Sequence, residues 1–305
     1  MNFSFDAFAM PLVALVAVLL DRLLGETRRW HPLVGFGNLA GAIERRLNRR
    51  SLPAGIFAWL LAVAPWVALA FWLRPFAPFV VDVVLLYFAL GAQSLCEHAA
   101  AIAQPLQAGQ LDEARQRVGW IVSRDTAALD ESGIAKAGVE SVLENGNDAI
   151  FGALFWFALL GGPGALLFRL ANTLDAMWGY RTERFNLFGR PAARLDDALN
   201  WIPARLTALT YALFGKTRAA LACWRAQAPG WDSPNAGPVM AAGAGSLGVA
   251  LGGAAIYHGQ EEIRPPLGEG AAPTAADLSR AIVLVKNSLW FWLLGLFIIS
   301  GVLHA

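Results

Sequence analysis

Ala54–Leu73 reads AGIFAWLLAVAPWVALAFWL, twenty residues without a charge. About 20 consecutive apolar residues are what a helix needs to cross the hydrocarbon core of a bilayer. This stretch decides the fold class: a helical membrane protein. Three further runs come near the same standard, Phe3–Leu20, Phe76–Cys96 and Ile282–Leu303. The run Phe76–Cys96 carries Asp82 near its start, where the carboxylate is expected at the interface or on a partner. Composition agrees. Of 305 residues, 56% are hydrophobic and 15% charged, against about 25% charged in a typical soluble domain, and the mean hydropathy is +0.47. These values argue against a soluble enzyme, a disordered chain and a disulfide scaffold. Cys96 and Cys223 lie in apolar surroundings without metal spacing and read as small buried hydrophobes. A net charge of +1 gives no electrostatic ground for a nucleic-acid partner.

Orientation follows from the basic residues. Phe3–Leu20 contains Asp6, has no leading Lys or Arg, and is followed by Asp21-Arg22 rather than a cleavage site, so it reads as a retained span and not a signal peptide. Seven arginines fall between residues 21 and 53: Arg22, Arg28, Arg29, Arg45, Arg46, Arg49 and Arg50. The positive-inside rule makes that loop cytoplasmic and the N-terminus external. The third run brings the chain back inside, so block 97–148 is cytoplasmic. Ala149–Leu170 is cut by Gly161-Gly162-Pro163-Gly164. Its two short pieces suit a re-entrant or interfacial hairpin. Pro203–Trp224 and the Gly- and Ala-rich Gly237–Tyr257 are expected as a helical pair, spanning or buried. Either choice keeps 171–202 and 258–281 cytoplasmic. The expectation is thus one membrane-embedded all-α domain over 1–305: a polytopic inner-membrane protein with re-entrant or interfacial helices and cytoplasmic-face helical loops. Segments 97–148, 171–205 and 229–238 would carry the chemistry.

Four polar clusters stand out between the apolar runs. Arg124-Asp125 precedes a helix expected from Asp130 to Asn145, on which Glu140 and Glu144 share a face, with Asp148 next in the row. Two like charges at this spacing repel, and a cation with oxygen ligands, such as Mg²⁺, would relieve them. The alternative is a solvated face partly neutralised by Lys136. Asn172 and Asp175 repeat the Asn-x-x-Asp pattern of Asn145 and Asp148, with Tyr180, Arg181 and Arg184 just beyond. Helix capping is the alternative for such pairs. Arg194, Asp196, Asp197 and Asn200, followed by Arg205, form a group suited to Mg²⁺ and phosphate together, the alternative being a surface ion-pair network. Ser233-Pro234-Asn235-Ala236-Gly237-Pro238 is by itself a turn signal. Three mixed clusters on one expected face favour a functional reading. Other chemistries lack their marks. Phe214-Gly215-Lys216-Thr217 misses the first glycine of a P-loop, and the four histidines have no zinc spacing.

The motifs in order are Asp21-x-x-x-Gly25-Glu26 with Trp30-His31-Pro32; Arg124-Asp125-Thr126; Glu140-Ser141-x-x-Glu144-Asn145-x-x-Asp148; Asn172-Thr173-Leu174-Asp175 with Gly179-Tyr180; Phe188-Gly189; Arg194-Leu195-Asp196-Asp197; Ile202 to Thr207; Ser233 to Gly237; and Tyr257-x-Gly259. Over nearly the whole chain this string resembles the CobD/CbiB family of cobalamin-biosynthesis membrane proteins. Glu26, where the family more often has aspartate, and Gly146-Asn147 are small departures. The resemblance implies adenosylcobinamide-phosphate synthase activity. This is ATP-dependent amide formation between the free carboxylate of adenosylcobyric acid and aminopropanol or its O-phosphate, with Mg²⁺ accompanying ATP. On that basis Glu140, Glu144, Asp197 and Arg194 are the expected catalytic residues. Arg124, Asn145, Asn172, Tyr180, Arg184, Arg205 and Asn235 would bind substrate, and Glu144, Asp148, Asp175, Asp196 and Asp197 would bind metal. The bilayer is the expected surrounding, and self-assembly or assembly with other enzymes of the pathway stays open. A Mg²⁺-dependent membrane prenyltransferase and a non-enzymatic regulatory relative are the competing readings. A transporter fits less well, because its polar residues would lie within the spans.

Overall fold

The computed structural model describes residues 8–26, 31–257 and 259–304. In chain order these form α1 (Ala9–Leu24), α2 (Pro32–Leu47), α3 (Leu52–Leu73), α4 (Pro78–Ala89), α5 (Ala92–Gln107), α6 (Leu111–Val118), α7 (Glu131–Gly146), α8 (Gly152–Leu160), α9 (Gly162–Trp178), α10 (Arg190–Leu213), α11 (Thr217–Gln227), α12 (Ala236–Leu247), β1 (Ala250–Tyr257), β2 (Gln260–Gly268) and α13 (Ala275–Leu303). Two compact units interleave along the sequence. The first takes Met1–Ala92, Asp148–Asn200 and Leu293–Ala305; the second takes Gln93–Asn147 and Trp201–Trp292.

Three of the four expected spans coincide with long apolar helical segments, Leu52–Phe76, Pro78–Gln107 and Ala275–Leu303. They are compatible with a membrane protein. The expected span Phe3–Leu20 begins outside the described residues, and α1 provides 16 helical residues, about 24 Å at 1.5 Å per residue. Trp30, Arg28, Arg29 and His258 also lie outside the described residues.

In the first unit, the core is built where α2, α3 and α9 meet. Phe36, Ala40 and Ile43 pack against Ala58, Trp59, Ala62 and Val63, and against Leu170, Ala171, Leu174 and Trp178, with Phe188 and Ala192 closing the end. Burying a large side chain such as Trp178 or Phe188 contributes about 1.5–3 kcal/mol each. The helical period that turns Ala171, Leu174 and Trp178 into this core turns Asn172 and Asp175 away from it. Gly55 lets α3 reach the Phe188 backbone, because a Cβ there would run into the Phe188 carbonyl. Asp82 finds its partner in Arg74, whose Nε and Nη2 donate to it at 2.9 Å each, and accepts the Gly162 N–H at 2.9 Å. The break at Gly161, with φ +71°, separates α8 from α9 as expected. The two pack closely, Gly152 against the Phe168 ring and Gly164 against the Trp156 carbonyl.

In the second unit, α7 starts one residue later than expected. Asp130 caps it, accepting the Gly133 N–H at 2.7 Å. Beyond Gly146 the chain winds on as a π-helical turn, Asn147–Phe151, a feature that often marks functional sites. The expected helix Pro203–Trp224 is instead two, α10 and α11, separated at residues 214–216. The larger correction concerns Gly237–Tyr257. Its first half is helical, and every residue of α12 is buried, with Gly243 admitting Leu143 and Gly245 the backbone of Ala220. The helix stops at Gly248, which is left-handed (φ 69°, ψ 42°). The chain then turns into the antiparallel hairpin β1–β2, paired from Ala250↔Gly268 to Tyr257↔Gln260. The fold is therefore mostly helical rather than all-α. The physical cause is that Gly248, Gly252 and Gly253 all take positive φ, which ends a helix and costs glycine nothing.

Candidate functional site

Glu140 is the hub of the second unit. Its residue is 3% exposed, on a face of α7 surrounded by apolar neighbours, yet it accepts four hydrogen bonds. Arg124 Nη2 donates to Oε2. Arg264 donates from Nη1 to Oε2 at 3.0 Å and from Nη2 to Oε1 at 3.2 Å. The Gly252 N–H donates to Oε1 at 2.8 Å. Gly252 sits in the bulge between Leu251 and Gly253. Its φ is +72°, and an added Cβ would strike the Pro265 carbonyl, so glycine is needed for the N–H to reach Glu140. Burial works against ionisation of Glu140, but the two guanidinium groups and their hydrogen bonds outweigh it and hold the carboxyl below its usual value. Glu140 is thus a charged anchor whose oxygens are already engaged.

Around this hub lies a cavity of about 260 Å³. Arg124, Glu144, Asn145, Trp231, Tyr257 and Arg264 are among the side chains that line it. Asn145 is fixed by donating to the Ser141 carbonyl at 2.9 Å and hydroxyl at 3.1 Å, and Arg264 lies 5.6 Å from the Trp231 ring. The lining sets two arginines against two carboxylates, Glu140 and Glu144. Guanidinium groups suit a carboxylate or phosphate group. The loop carrying Arg124 is held to the hairpin by Asp125, which accepts the Gly259 N–H at 2.8 Å. Elsewhere in this unit Arg205 and Asn235 come together. Arg205 donates to Asn235 Oδ1 at 2.8 Å, to the Pro234 carbonyl at 2.9 Å and to the Trp201 carbonyl at 2.9 Å, and stacks 4.5 Å from the Trp201 ring. It fixes the Ser233–Asn235 turn at the start of α12.

The first unit holds the aspartates. Asp196 is buried and accepts from Asn200 at 3.1 Å and Asn172 at 3.4 Å. Burial, then the charges of Asp148 and Asp175, raise it well above the usual aspartate value. Asp175 is pushed up to about 6 by burial and then by Asp148 and Asp197. Asp197 is raised by burial, against the pull of Arg194 and Arg181. The π-helical turn, α9 and α10 therefore bring four expected metal ligands into mutual repulsion, which a divalent cation would relieve. Among the described residues no three His, Cys, Asp or Glu side chains form a metal cage by themselves. A Mg²⁺ held by one or two carboxylates together with phosphate oxygens needs none. Arg184 goes elsewhere: it pairs with Glu44 of α2 through Nε at 3.0 Å and Nη2 at 2.5 Å. Tyr180 is exposed.

Sequence reasoning missed Arg264. It is the sole Lys or Arg between Arg225 and Arg280, and Ile256 to Ile263 around His258-Gly259 carries a hairpin signal of the X-Gly kind.

Residues 14–285 match the family described as CobD/Cbib protein. A Chromobacterium violaceum protein named "Cobalamin biosynthesis protein CobD" is 56% identical over 304 residues, covering 95% of this chain and 97% of that protein. Its namesake from Stutzerimonas stutzeri is 58% identical over 296 residues, with the same coverages. The Mycobacterium tuberculosis protein of that name is 39% identical over 281 residues, covering 89% and 90%. No solved structure matches the chain. With its motifs in order, a match from residue 14 to 285 and relatives aligned almost end to end, the chain belongs to the CobD/CbiB family.

Proposed function

We propose that this chain works in cobalamin biosynthesis as an ATP-dependent amide ligase, joining the free carboxylate of adenosylcobyric acid to the amine of aminopropanol or its O-phosphate. It acts in the inner membrane with its polar segments on the cytoplasmic side. The observation that carries this reading is the cavity walled by Arg124 and Arg264, both fixed on buried Glu140, with Glu144 beside them. A carboxylate is a poor electrophile and must be activated. Phosphoryl transfer from ATP to a carboxylate oxygen gives an acyl phosphate and ADP. The amine then attacks the carbonyl carbon, phosphate leaves and the amide forms.

In this reading Arg124 and Arg264 hold an anionic group of a substrate in place, pre-organised by Glu140 so that little side-chain freedom is lost on binding. Glu144 accepts the proton that the amine must lose. Asn145 orients the acceptor. From Asp148, Asp175, Asp196 and Asp197, one or two carboxylates would hold Mg²⁺ together with phosphate oxygens, and Arg194 would balance Asp197. When bound, Mg²⁺ neutralises charge on the transferring phosphoryl group. Arg205 and Asn235 act together on the turn that precedes α12, and Asn172 steadies Asp196. The test is a mass measurement after incubating the purified protein with adenosylcobyric acid, aminopropanol phosphate and Mg-ATP. The expected product is heavier by the amine less one water. Its absence, while a relative of established activity forms it under the same conditions, refutes the proposal.

A further inference from the structure

A second cavity of the second unit takes no part in the chemistry above. It encloses about 500 Å³ where the start of α11 meets the first turns of α13. Lys216, Ser279, Arg280 and Asn287 supply its polar lining, Phe214 and Val283 part of its apolar lining. Lys216 is the lysine of Gly215-Lys216-Thr217, the stretch that lacks the first glycine of a P-loop. Both cations converge on the turn that ends α12. Arg280 Nη2 donates to the Leu247 carbonyl at 2.6 Å, and a Cβ added at Gly248 would run into Lys216 Nζ.

Counter-charge is short here. No Asp or Glu lines the cavity. Asp277 accepts from Arg280 Nη1 through Oδ1, while its Oδ2 already accepts from the Thr274 N–H at 2.8 Å and hydroxyl at 2.9 Å. Among the described residues Lys216 has no ion pair, and the side chains of Ser279 and Asn287 have no hydrogen bond. An unpaired ammonium, a guanidinium with donors to spare and two neutral polar groups suit a phosphate. The apolar lining points to what carries that phosphate. Val283 stands at the start of the run Ile282–Leu303, and Trp290 and Phe291 follow it by seven and eight residues, two turns further on the same face of α13. All three are exposed. Phe214 packs edge-on against Phe291, with ring centroids 5.6 Å apart. Charge at one end and an exposed aromatic face at the other match an amphiphile; a small soluble anion would leave that face bare.

We propose that this cavity is a site for one anionic phospholipid, its phosphate held by Lys216 and Arg280 and one acyl chain laid along Val283, Phe214 and Phe291. This rests on Ala275–Leu303 lying in a bilayer, and not on the ligase reading. Basic pockets beside membrane helices hold anionic head groups on the cytoplasmic side, the side on which residues 258–281 are expected. The bound lipid ties the start of α11 to that of α13 and backs the turn at Gly248. From that turn β1 carries Gly252 to Glu140, so the lipid supports the hub from behind. A ligand that binds the folded form alone stabilises it by mass action.

The experiment is native mass spectrometry of the purified full chain in detergent, titrated with dioleoyl phosphatidylglycerol or with dioleoyl phosphatidylcholine, which carry the same acyl chains. Each cation near a lipid head group contributes roughly fivefold in affinity, so the parent should prefer phosphatidylglycerol by about tenfold or more. K216Q should bind it about fivefold more weakly, and K216R, which keeps the charge, should bind as the parent does. V283S should weaken binding of both lipids. R225Q, which removes an exposed cation elsewhere on α11, should leave the preference intact. Glycerol phosphate, which has the phosphate without the chains, should not displace phosphatidylglycerol even in large excess. Equal binding of the two lipids by the parent, parental binding in K216Q or V283S, an equal loss in R225Q, or displacement by glycerol phosphate overturns the inference. The ligase reaction is decided separately, by product mass.

Discussion

Replacing Glu140 by glutamine leaves the shape of the side chain and removes its charge. Two guanidinium groups, Arg124 and Arg264, with side chains 8% and 10% exposed, then lose their shared counter-ion. The amide NH₂ also faces donors where an acceptor stood. Removing one partner of a buried ion pair costs about 3–5 kcal/mol, because the charge left behind stays buried and uncompensated. At roughly 2–4 °C per kcal/mol for a body of this size, the melting temperature falls by about 10 °C. The twelve tryptophans report the melt by intrinsic fluorescence in detergent. The pH dependence has a definite sign. Glu140 is held below the ordinary value of 4.5, so its contribution is complete above that value and is lost as pH falls through the lowered folded-state value. The difference between parent and E140Q should therefore be full at neutral pH and shrink only in acid. A melt within 2 °C of the parent would refute the hub. If that unchanged melt came with lost turnover, Glu140 would be a proton acceptor rather than an anchor.

Three further outcomes are expected. Asp175, raised to about 6, binds its proton more readily folded than unfolded, so its effect on stability is lost as pH rises from about 4 to about 6. D175N should melt higher than the parent at pH 7.5 without Mg²⁺, by at most about 3 kcal/mol, and added Mg²⁺ should stabilise the parent more; an equal response of both would remove Asp175 from the metal site. G252A should displace the bulge and lower the affinity for the anionic substrate at least tenfold, measured as KM, because the Cβ meets the Pro265 carbonyl; an unchanged KM contradicts the bulge geometry. R205K loses the donors shared between Asn235 and Pro234 and the stacking on Trp201, and should destabilise by about 1–3 kcal/mol; a melt equal to the parent's means that the turn holds itself.

Long apolar runs were the legible part of the fold. Leu52–Leu73 is a helix of uncharged, mostly apolar side chains, and Asp82 finds Arg74, just beyond its end, as a charge among apolar residues must. The break at Gly161 was legible for the same reason: four consecutive helix breakers leave few choices. Gly248, Gly252 and Gly253 were not, since glycine among alanines is equally at home in a packed helix and in a bulged strand. Only the tertiary need to deliver the Gly252 N–H to Glu140 decides between them. At the site, the motifs set acidic and basic residue types in the same stretches of sequence. Their pairing was not legible, because Arg264 meets Glu140 across 124 residues and Arg184 meets Glu44 across 140, and helical periodicity carries no information at such separations. Arg184 shows the cost of proximity in sequence: it stands near Tyr180 and Arg181, yet its guanidinium braces α2.

The interleaving of the two units has a consequence for how the protein comes into being. Residues 148–200 are synthesised between the halves of the second unit, so neither body can be completed before ribosomes have moved well past it. Glu140 emerges with Arg124 already made, but its other arginine arrives only with the second strand of the hairpin. Until then a buried carboxylate and half of its cationic shell must wait, either exposed or held by something other than their final partners. Contacts so distant along the chain are slow to close, and half-finished bodies are the ones that stick to each other. The nascent chain therefore has a late commitment point near residue 264. A truncation just before it should leave a product that cannot lock, and that quality-control proteases clear quickly.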